Sequence, residues 1–190
     1  MDALSAVAFG VVLAACAGLR AFLPVFSASL AARVMELPLP DYLAWLDRAD
    51  TLVLFGAATL LEVLGDKVPF VDHLLDSVQV AVKPVLGVVA AIPFLYQLSP
   101  EYAAALGIAM GAPLALGVHA TKATVRVGST ATTGGLGNPV LSVLEDVAAA
   151  GAVVLAFIAP VLALVLTVVL LAWLVRLALR LRRLTRRRDV

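Results

Sequence analysis

Apolar residues do not alternate with polar ones along this chain. They run in long blocks, broken by short clusters of glycine, proline and charge. A bilayer span requires about 20 mostly apolar residues, each rising 1.5 Å, to cross about 30 Å of hydrocarbon. On that measure the sequence predicts about six segments. The first covers Ala3 to Val34 and is interrupted by Gly18 and Pro24. The second, Thr51 to Leu64, is short. The third runs from Pro69 to Leu98 around Pro84 and Pro93, and the fourth from Pro100 to Ser129 around Pro113. The fifth runs from Pro139 to Ile158 and the sixth from Pro160 to Leu179. Asn138-Pro139 is a helix start: a capping residue, then a proline whose missing N–H costs nothing in the first turn. Asp66 stands ahead of Pro69 in a similar way. The break at Pro160 is read as a hairpin between the last two segments rather than one kinked helix.

Composition strengthens this reading. Hydrophobic residues make up 63% of the 190 positions and charged residues 14%, against about half and about a quarter in ordinary soluble domains. A soluble chain of this size has too little interior to hide that much apolar surface. The expected fold is therefore all-α: a polytopic transmembrane helical bundle over 1–175, followed by an arginine-rich tail over 176–190. The N-terminal block lacks the basic start of a secretory signal and is too long for one, so it is expected to be retained as the first span. The lone Cys16 excludes an intramolecular disulfide and a multi-cysteine metal site.

The net charge is only +1, but seven arginines fall between Arg176 and Arg188. By the positive-inside rule this tail is cytoplasmic. An even number of spans then puts the N-terminus on the same side, and an odd number puts it outside. The first outer loop carries Arg33 and Arg48 against Glu36, Asp41, Asp47 and Asp50, and the inner loops carry Lys67, Lys122 and Arg126, which agrees in sign. The alternation of leucine and arginine in the tail suits a membrane-surface helix that meets anionic lipid, and nothing calls for nucleic acid.

A weak internal likeness links Gly18-Leu19-Arg20-Ala21 with Gly117-Val118-His119-Ala120, and Leu43–Asp47 with Leu141–Glu145. It predicts an inverted repeat with halves 1–98 and 100–175, a plan found in secondary transporters. Chance similarity between two Ala/Leu/Val-rich stretches is the competing account.

Ionisable residues inside the hydrocarbon cost at least about 2.5 kcal/mol, so they face protein, water or substrate. In the third segment Asp72, Asp76, Gln79 and Lys83 share one helical face. They form either the lining of a cavity or a solvated end. In the fourth segment His119, Lys122 and Arg126 recur on one face, and could meet Asp72 and Asp76 or simply anchor the helix at the surface. His119, whose unperturbed titration lies near neutrality, could carry a proton. Glu62 ends the second segment before Gly65-Asp66-Lys67. Glu145 and Asp146 lie early in the fifth, where exposed helix N–H groups favour carboxylates. Arg20 is the most costly cation. The breakers around it predict a broken helix, with Arg20 paired to Glu62 or holding an anionic group. The Gly-rich stretch Ser129–Asn138 reads as a flexible loop rather than an anion cradle. It lacks both the Gly-Lys-Ser/Thr and the strand that nucleotide motifs require.

Three sets of residues carry a family resemblance: Gly18-Leu19-Arg20-Ala21-Phe22-Leu23-Pro24, Gly65-Asp66-Lys67-Val68-Pro69 with Asp72 and Asp76, and Gly137-Asn138-Pro139 with Glu145-Asp146. The chain resembles, over nearly its whole length, the bacterial membrane family called domain of unknown function 4126. That resemblance implies a multi-span membrane protein, and the expected location is the bacterial inner membrane. Glu62-Val63-Leu64-Gly65-Asp66-Lys67 is also similar to the Glu-x-Gly-Asp-Lys/Arg-Ser/Thr signature of a cation–proton exchanger family. Here one extra residue separates Glu62 from Gly65, and Val68 stands where Ser or Thr belongs.

The expected function is that of a small secondary transporter or channel for a small ion or solute, with Asp76, Lys83 and Glu145 along the route and Arg20 near its centre. The alternative is a membrane scaffold or partner subunit. An intramembrane enzyme ranks last, because neither His-Glu-x-x-His nor Gly-x-Ser-x-Gly occurs and His73 and His119 are the only histidines. No cofactor is implied. Small residues along the first and fourth segments would allow a homo-oligomer.

Overall fold

In a computed structural model the described residues form seven α-helices and one short 3-10 turn. The structure describes residues 1–67 and 69–186, with side chains described for these except 69–77, 178 and 181–186. The helices are α1 (Ala3–Leu19), α2 (Leu23–Val34), α3 (Ala49–Gly65), α4 (Pro69–Tyr96), α5 (Ala103–Thr133), α6 (Asn138–Ile158) and α7 (Pro160–Arg186), with the 3-10 turn at Asp41–Asp47. Four of them are long and apolar enough to cross a membrane: α4 over Val78–Tyr96, α5, α6, and α7 over Pro160–Leu177. This is the predicted all-helical membrane bundle.

The first predicted segment is two helices. The chain leaves helical geometry at Arg20 (φ −129°, ψ 118°) and re-enters at Leu23, with Pro24 inside the first turn of α2. Proline suits that position because its N–H would have no helical partner there. Asp2 starts α1: its carboxylate accepts from Ser5 N at 2.7 Å, a bond that holds the carboxyl below its usual range.

Helix α1 is the axis of the bundle, buried on every side from Ala8 to Leu19 except at Val11. A helix that is apolar all round is stable only where neighbours surround it. Phe9 stacks on Phe94 of α4 with centroids 4.5 Å apart and meets Phe157 of α6 edge-on. Cys16 Sγ lies 3.9 Å from Ala149 O, so α6 runs antiparallel to α1. Gly10 faces Ala91 while Ala17 lies near Gly87, so α4 is also antiparallel. Gly18 abuts Ala115 and Val118, and Lys122 bonds Leu19 O, so α5 runs parallel to α1.

Helix α2 folds back beside α1. Val25, Ala28 and Ala31 join the core cluster that holds Phe9, Leu13 and Phe94. Helix α3 descends antiparallel to α2: Phe26 lies against Gly56, and Glu62 reaches Ala21 and Phe22. Together α1 and α2 make a helical hairpin with Arg20 at its tip. The start of α6 (Leu141, Leu144, Ala148) faces the end of α7 (Leu170, Leu174, Leu177), which is the predicted hairpin at Pro160.

Three expectations change. Since α7 is antiparallel to α6 and α6 to α1, the start of α1 and the end of α7 lie at opposite ends of the bundle. The folding back of α2 is the cause. The inverted repeat also fails on geometry. Helices α1 and α5 run the same way, Gly18–Ala21 is a break whereas Gly117–Ala120 is uninterrupted helix, and Leu43–Asp47 is 3-10 whereas Leu141–Glu145 is α-helical. Finally, most of Ser129–Asn138 is not a loop. The hydroxyls of Thr130, Thr132 and Thr133 bond back to the carbonyls of Arg126, Gly128 and Ser129, and α5 persists to Thr133. Only then does Gly134, at φ +64°, turn the chain, with Asn138 Nδ2 donating to Thr130 Oγ1 at 2.9 Å.

Gly18 and Gly117 make a matched test of the axial packing. A Cβ at Gly18 would collide with Val118 and the Ala115 carbonyl, whereas one at Gly117 meets nothing within 4 Å. Gly18→Ala should lower stability in detergent by about 1–3 kcal/mol through overpacking. Gly117→Ala should leave it within about 1 kcal/mol, on the stabilising side. Thermal melts of the two variants check both.

Candidate functional site: a charge cluster at the tip of the broken helix

Interrupting a helix frees backbone donors and acceptors, which inside a bundle must find partners. The sequence supplies them from two other helices, with support from a third. Glu62, at the end of α3, accepts from Ala21 N at 2.7 Å and Phe22 N at 3.1 Å, capping the start of α2. Gln79 of α4 donates to the same carboxylate at 2.9 Å. Lys122 of α5 donates to Leu19 O at 3.3 Å, covering the exposed end of α1. The carboxylate stands at a helix N-terminus and the ammonium at a C-terminus, where each is favoured by the helix dipole.

Arg20 projects from the tip into a buried ion-pair cluster. Its guanidinium bonds Asp66, pairs with Asp146 at 2.6 Å and donates to Ser142 O and Oγ, both at 3.2 Å. Its Nε has no hydrogen-bond partner among the described residues. Asp66 also faces Lys122 at 3.9 Å and Arg126 at 3.7 Å. Glu145 takes Lys122 at 3.1 Å and Arg126 at 2.9 Å, and Lys67 pairs with Asp146 at 3.0 Å. Side-chain exposure rises from 1% at Arg20 to 19% at Asp146 and 42% at Lys67. The cluster is thus sealed at the tip and open along one flank, between the end of α3 and the start of α6. Lys122 lies roughly 16 Å from the end of α5 at 1.5 Å per residue, well within the length of the bundle.

A second polar pair lies beside it. Lys83 is fully buried, and its Nζ stands 3.1 Å from His119 Nδ1. A charged ammonium has only donors, so the ring nitrogen accepts in that state.

The structure therefore brings together Arg20, Glu62, Asp66, Lys122, Glu145 and Asp146, and separately Lys83 with His119. The partners differ from those the sequence suggested. Arg20 pairs with Asp66 and Asp146, while Glu62 serves the backbone. Lys122 and Arg126 meet Asp66 and Glu145. Asp66 faces the cluster rather than starting α4. The side chains of Asp72, His73 and Asp76 lie outside the described residues. Sequence reasoning missed Ser142, which gives Arg20 two acceptors. Its only signal was a small hydroxyl residue one turn before Asp146. Among the described residues no group of three His, Cys, Asp or Glu stands together as a metal site, and each carboxylate that resembles the exchanger signature faces a cation or a backbone donor.

The cluster's stability follows from its burial. Breaking a buried ion pair by removing one partner costs about 3–5 kcal/mol, because the other charge is left stranded. Arg20→Met should destabilise by that order. Adding Asp66→Asn should recover part of the loss, giving a non-additive double-mutant cycle. Melting curves of the two single variants and the double variant check this. Additive losses would mean that the two residues do not interact.

The residues that build this site lie within the stretch matched by a family model. Among curated proteins none matches the chain, and no solved structure matches it. The model described as domain of unknown function (DUF4126) matches residues 7–180, a stretch that takes in the hairpin tip, the cluster and all four candidate spans. The chain belongs to that family.

Proposed function

We propose that this integral membrane protein is a small secondary transporter or channel for a small ion or solute, with the hairpin tip at Arg20 as its site. One observation carries the reading: a broken helix whose freed backbone groups and buried charges meet deep in the bundle and open to one flank. Half-helix ends that present backbone dipoles to a midplane site recur in transporters. Charges at such depth are expensive, and ionisable groups inside membrane helices commonly mark an ion or substrate route. In this reading Asp146 and Lys67 form the open flank, Glu145 and Lys122 the wall, and Arg20 the centre. Lys83 with His119 extends the polar path along α4 and α5, and Asp76 lies on the same helix as Lys83. Movement of the α1–α2 hairpin, whose tip is held by ion pairs rather than covalently, replaces the rocking of two repeat halves. The arginine-bearing end of α7 lies on the cytoplasmic side of a bacterial inner membrane, by the positive-inside rule.

A second reading, a scaffold or partner subunit without transport, is favoured by the closure of the network. Asp66 alone faces three cations, which suits a static lock. Flux separates the two readings. Protein reconstituted in liposomes is expected to carry a saturable flux of one solute from a panel of protons, monovalent and divalent cations, and phosphate. Asp146→Asn combined with Lys67→Gln should lower it by about tenfold or more, a barrier change of roughly 1.4 kcal/mol. No saturable flux across the panel, or a flux that this double variant leaves intact, would sink the transport reading and leave the scaffold.

A further inference from the structure

A cavity of about 430 Å³ opens between α5, α6 and α7, within the roughly 300–1,000 Å³ range of small-ligand sites. Its walls are apolar: Leu141, Leu144 and Ala148 from α6, and Leu170, Trp173, Leu174 and Leu177 from α7. Lys122 and Glu145 are the polar residues in the lining. The α7 residues fall at i, i+3, i+4 and i+7, so they form one stripe along the helix. Arg176, next to Leu177 at the outer end of the stripe, and Arg180, one turn further toward the end of α7, are both exposed. Arg180 lies one turn beyond Leu177 and two turns beyond Trp173. Helix α7 carries no acidic residue anywhere in Pro160–Arg186, so nothing on its own surface neutralises these arginines.

We propose that this groove is a binding site for an anionic phospholipid of the surrounding bilayer. One acyl chain lies along the stripe from Leu177 toward Leu170, and the headgroup phosphate rests on Arg176 and Arg180. The order of groups along α7 matches the order in a lipid: cations at the end of the bundle, where the headgroups lie, and an apolar slot running inward from them. Charge selects the occupant, because a net anionic headgroup meets two guanidiniums on a helix that carries no acid, while a zwitterionic one brings its own cation. Each basic residue near a membrane surface contributes about 1 kcal/mol toward anionic lipid. Helix α7 continues unbroken through Arg176 and Arg180 to Arg186. The groove borders the ion-pair cluster at Lys122 and Glu145, while the contacts assigned to the lipid are with the apolar stripe and the two arginines.

The chain contains two tryptophans, Trp45 and Trp173, and the second lines the groove. In a Trp45→Phe background, Trp173 fluorescence in bilayer nanodiscs reports a chain in the slot when that chain is brominated. Brominated phosphatidylglycerol is expected to quench Trp173 about fivefold or more effectively per mole than brominated phosphatidylcholine. Arg176→Gln with Arg180→Gln, both at exposed positions, should abolish that preference while leaving residual quenching. Ala148→Phe, which fills the slot, should reduce quenching by both lipids. Inorganic phosphate at matched ionic strength should change nothing. Equal quenching by the two headgroups in the Trp45→Phe protein would overturn the proposal, as would a preference that survives the double arginine change. Displacement by inorganic phosphate would also overturn it, because the site would then bind a soluble anion.

Discussion

Everything in this bundle is arranged around one unfavourable fact: a helix stops in the middle. At Arg20 the chain exposes unpaired carbonyls on one side and unpaired N–H groups on the other, deep among apolar helices. Glu62 covers the donors and Lys122 covers Leu19 O. Both are themselves charged, so they need partners too, and the need spreads outward. Arg20 draws in Asp66 and Asp146, and these with Glu145 draw in Lys67, Lys122 and Arg126. The cluster is the consequence of breaking one helix where water cannot reach it.

That chain of consequences explains the placement of the other helices. Helix α3 must end beside the tip, because Glu62 and Asp66 are one turn apart and both are used there. Helix α6 must bring Ser142, Glu145 and Asp146 to the same level, and these lie within two turns of each other. Helix α5 must run parallel to α1 at contact distance for Lys122 to reach Leu19. Gly18 permits that approach by presenting no side chain to Val118 and Ala115. Polar demand and close packing are therefore met by the same few residues. Small residues let the backbones approach, and the short distances make the ion pairs strong in a poorly screened interior.

The same arrangement gives the molecule two unlike ends. Around the turn Asp41–Asp47, acids dominate, with Arg48 paired to Asp50 at 2.6 Å on the surface. That exposed pair holds the Asp50 carboxyl below its usual range. At the opposite end lie Lys67 and the arginines of α7. Between them the outer faces of α3, α6 and α7 present Leu60, Leu61, Val147, Ile158, Val165 and Val169 to their surroundings. Such a surface is stable in lipid and would aggregate in water.

The sequence by itself determined the elements. Long apolar blocks dictate membrane helices, because no other structure satisfies the backbone in hydrocarbon. Gly18 and Pro24 mark where the first block breaks, and Asn138-Pro139 and Pro160 mark helix starts to within a residue or two. The sequence also singled out Arg20, Glu62, Asp66, Lys122, Glu145 and Asp146 as ionisable groups that would need partners, since such groups in apolar blocks are expensive wherever they sit. It could not determine who meets whom. Arg20 and Ser142 are joined only because α1 and α6 pack side by side, and the choice of Asp66 over Glu62 depends on one turn of α3. Nor could it show that α2 folds back. Hydropathy measures how apolar a segment is and not which way it runs, and that direction, fixed by packing Val25, Ala28 and Ala31 onto the α1 core, placed the start of α1 and the end of α7 at opposite ends of the bundle.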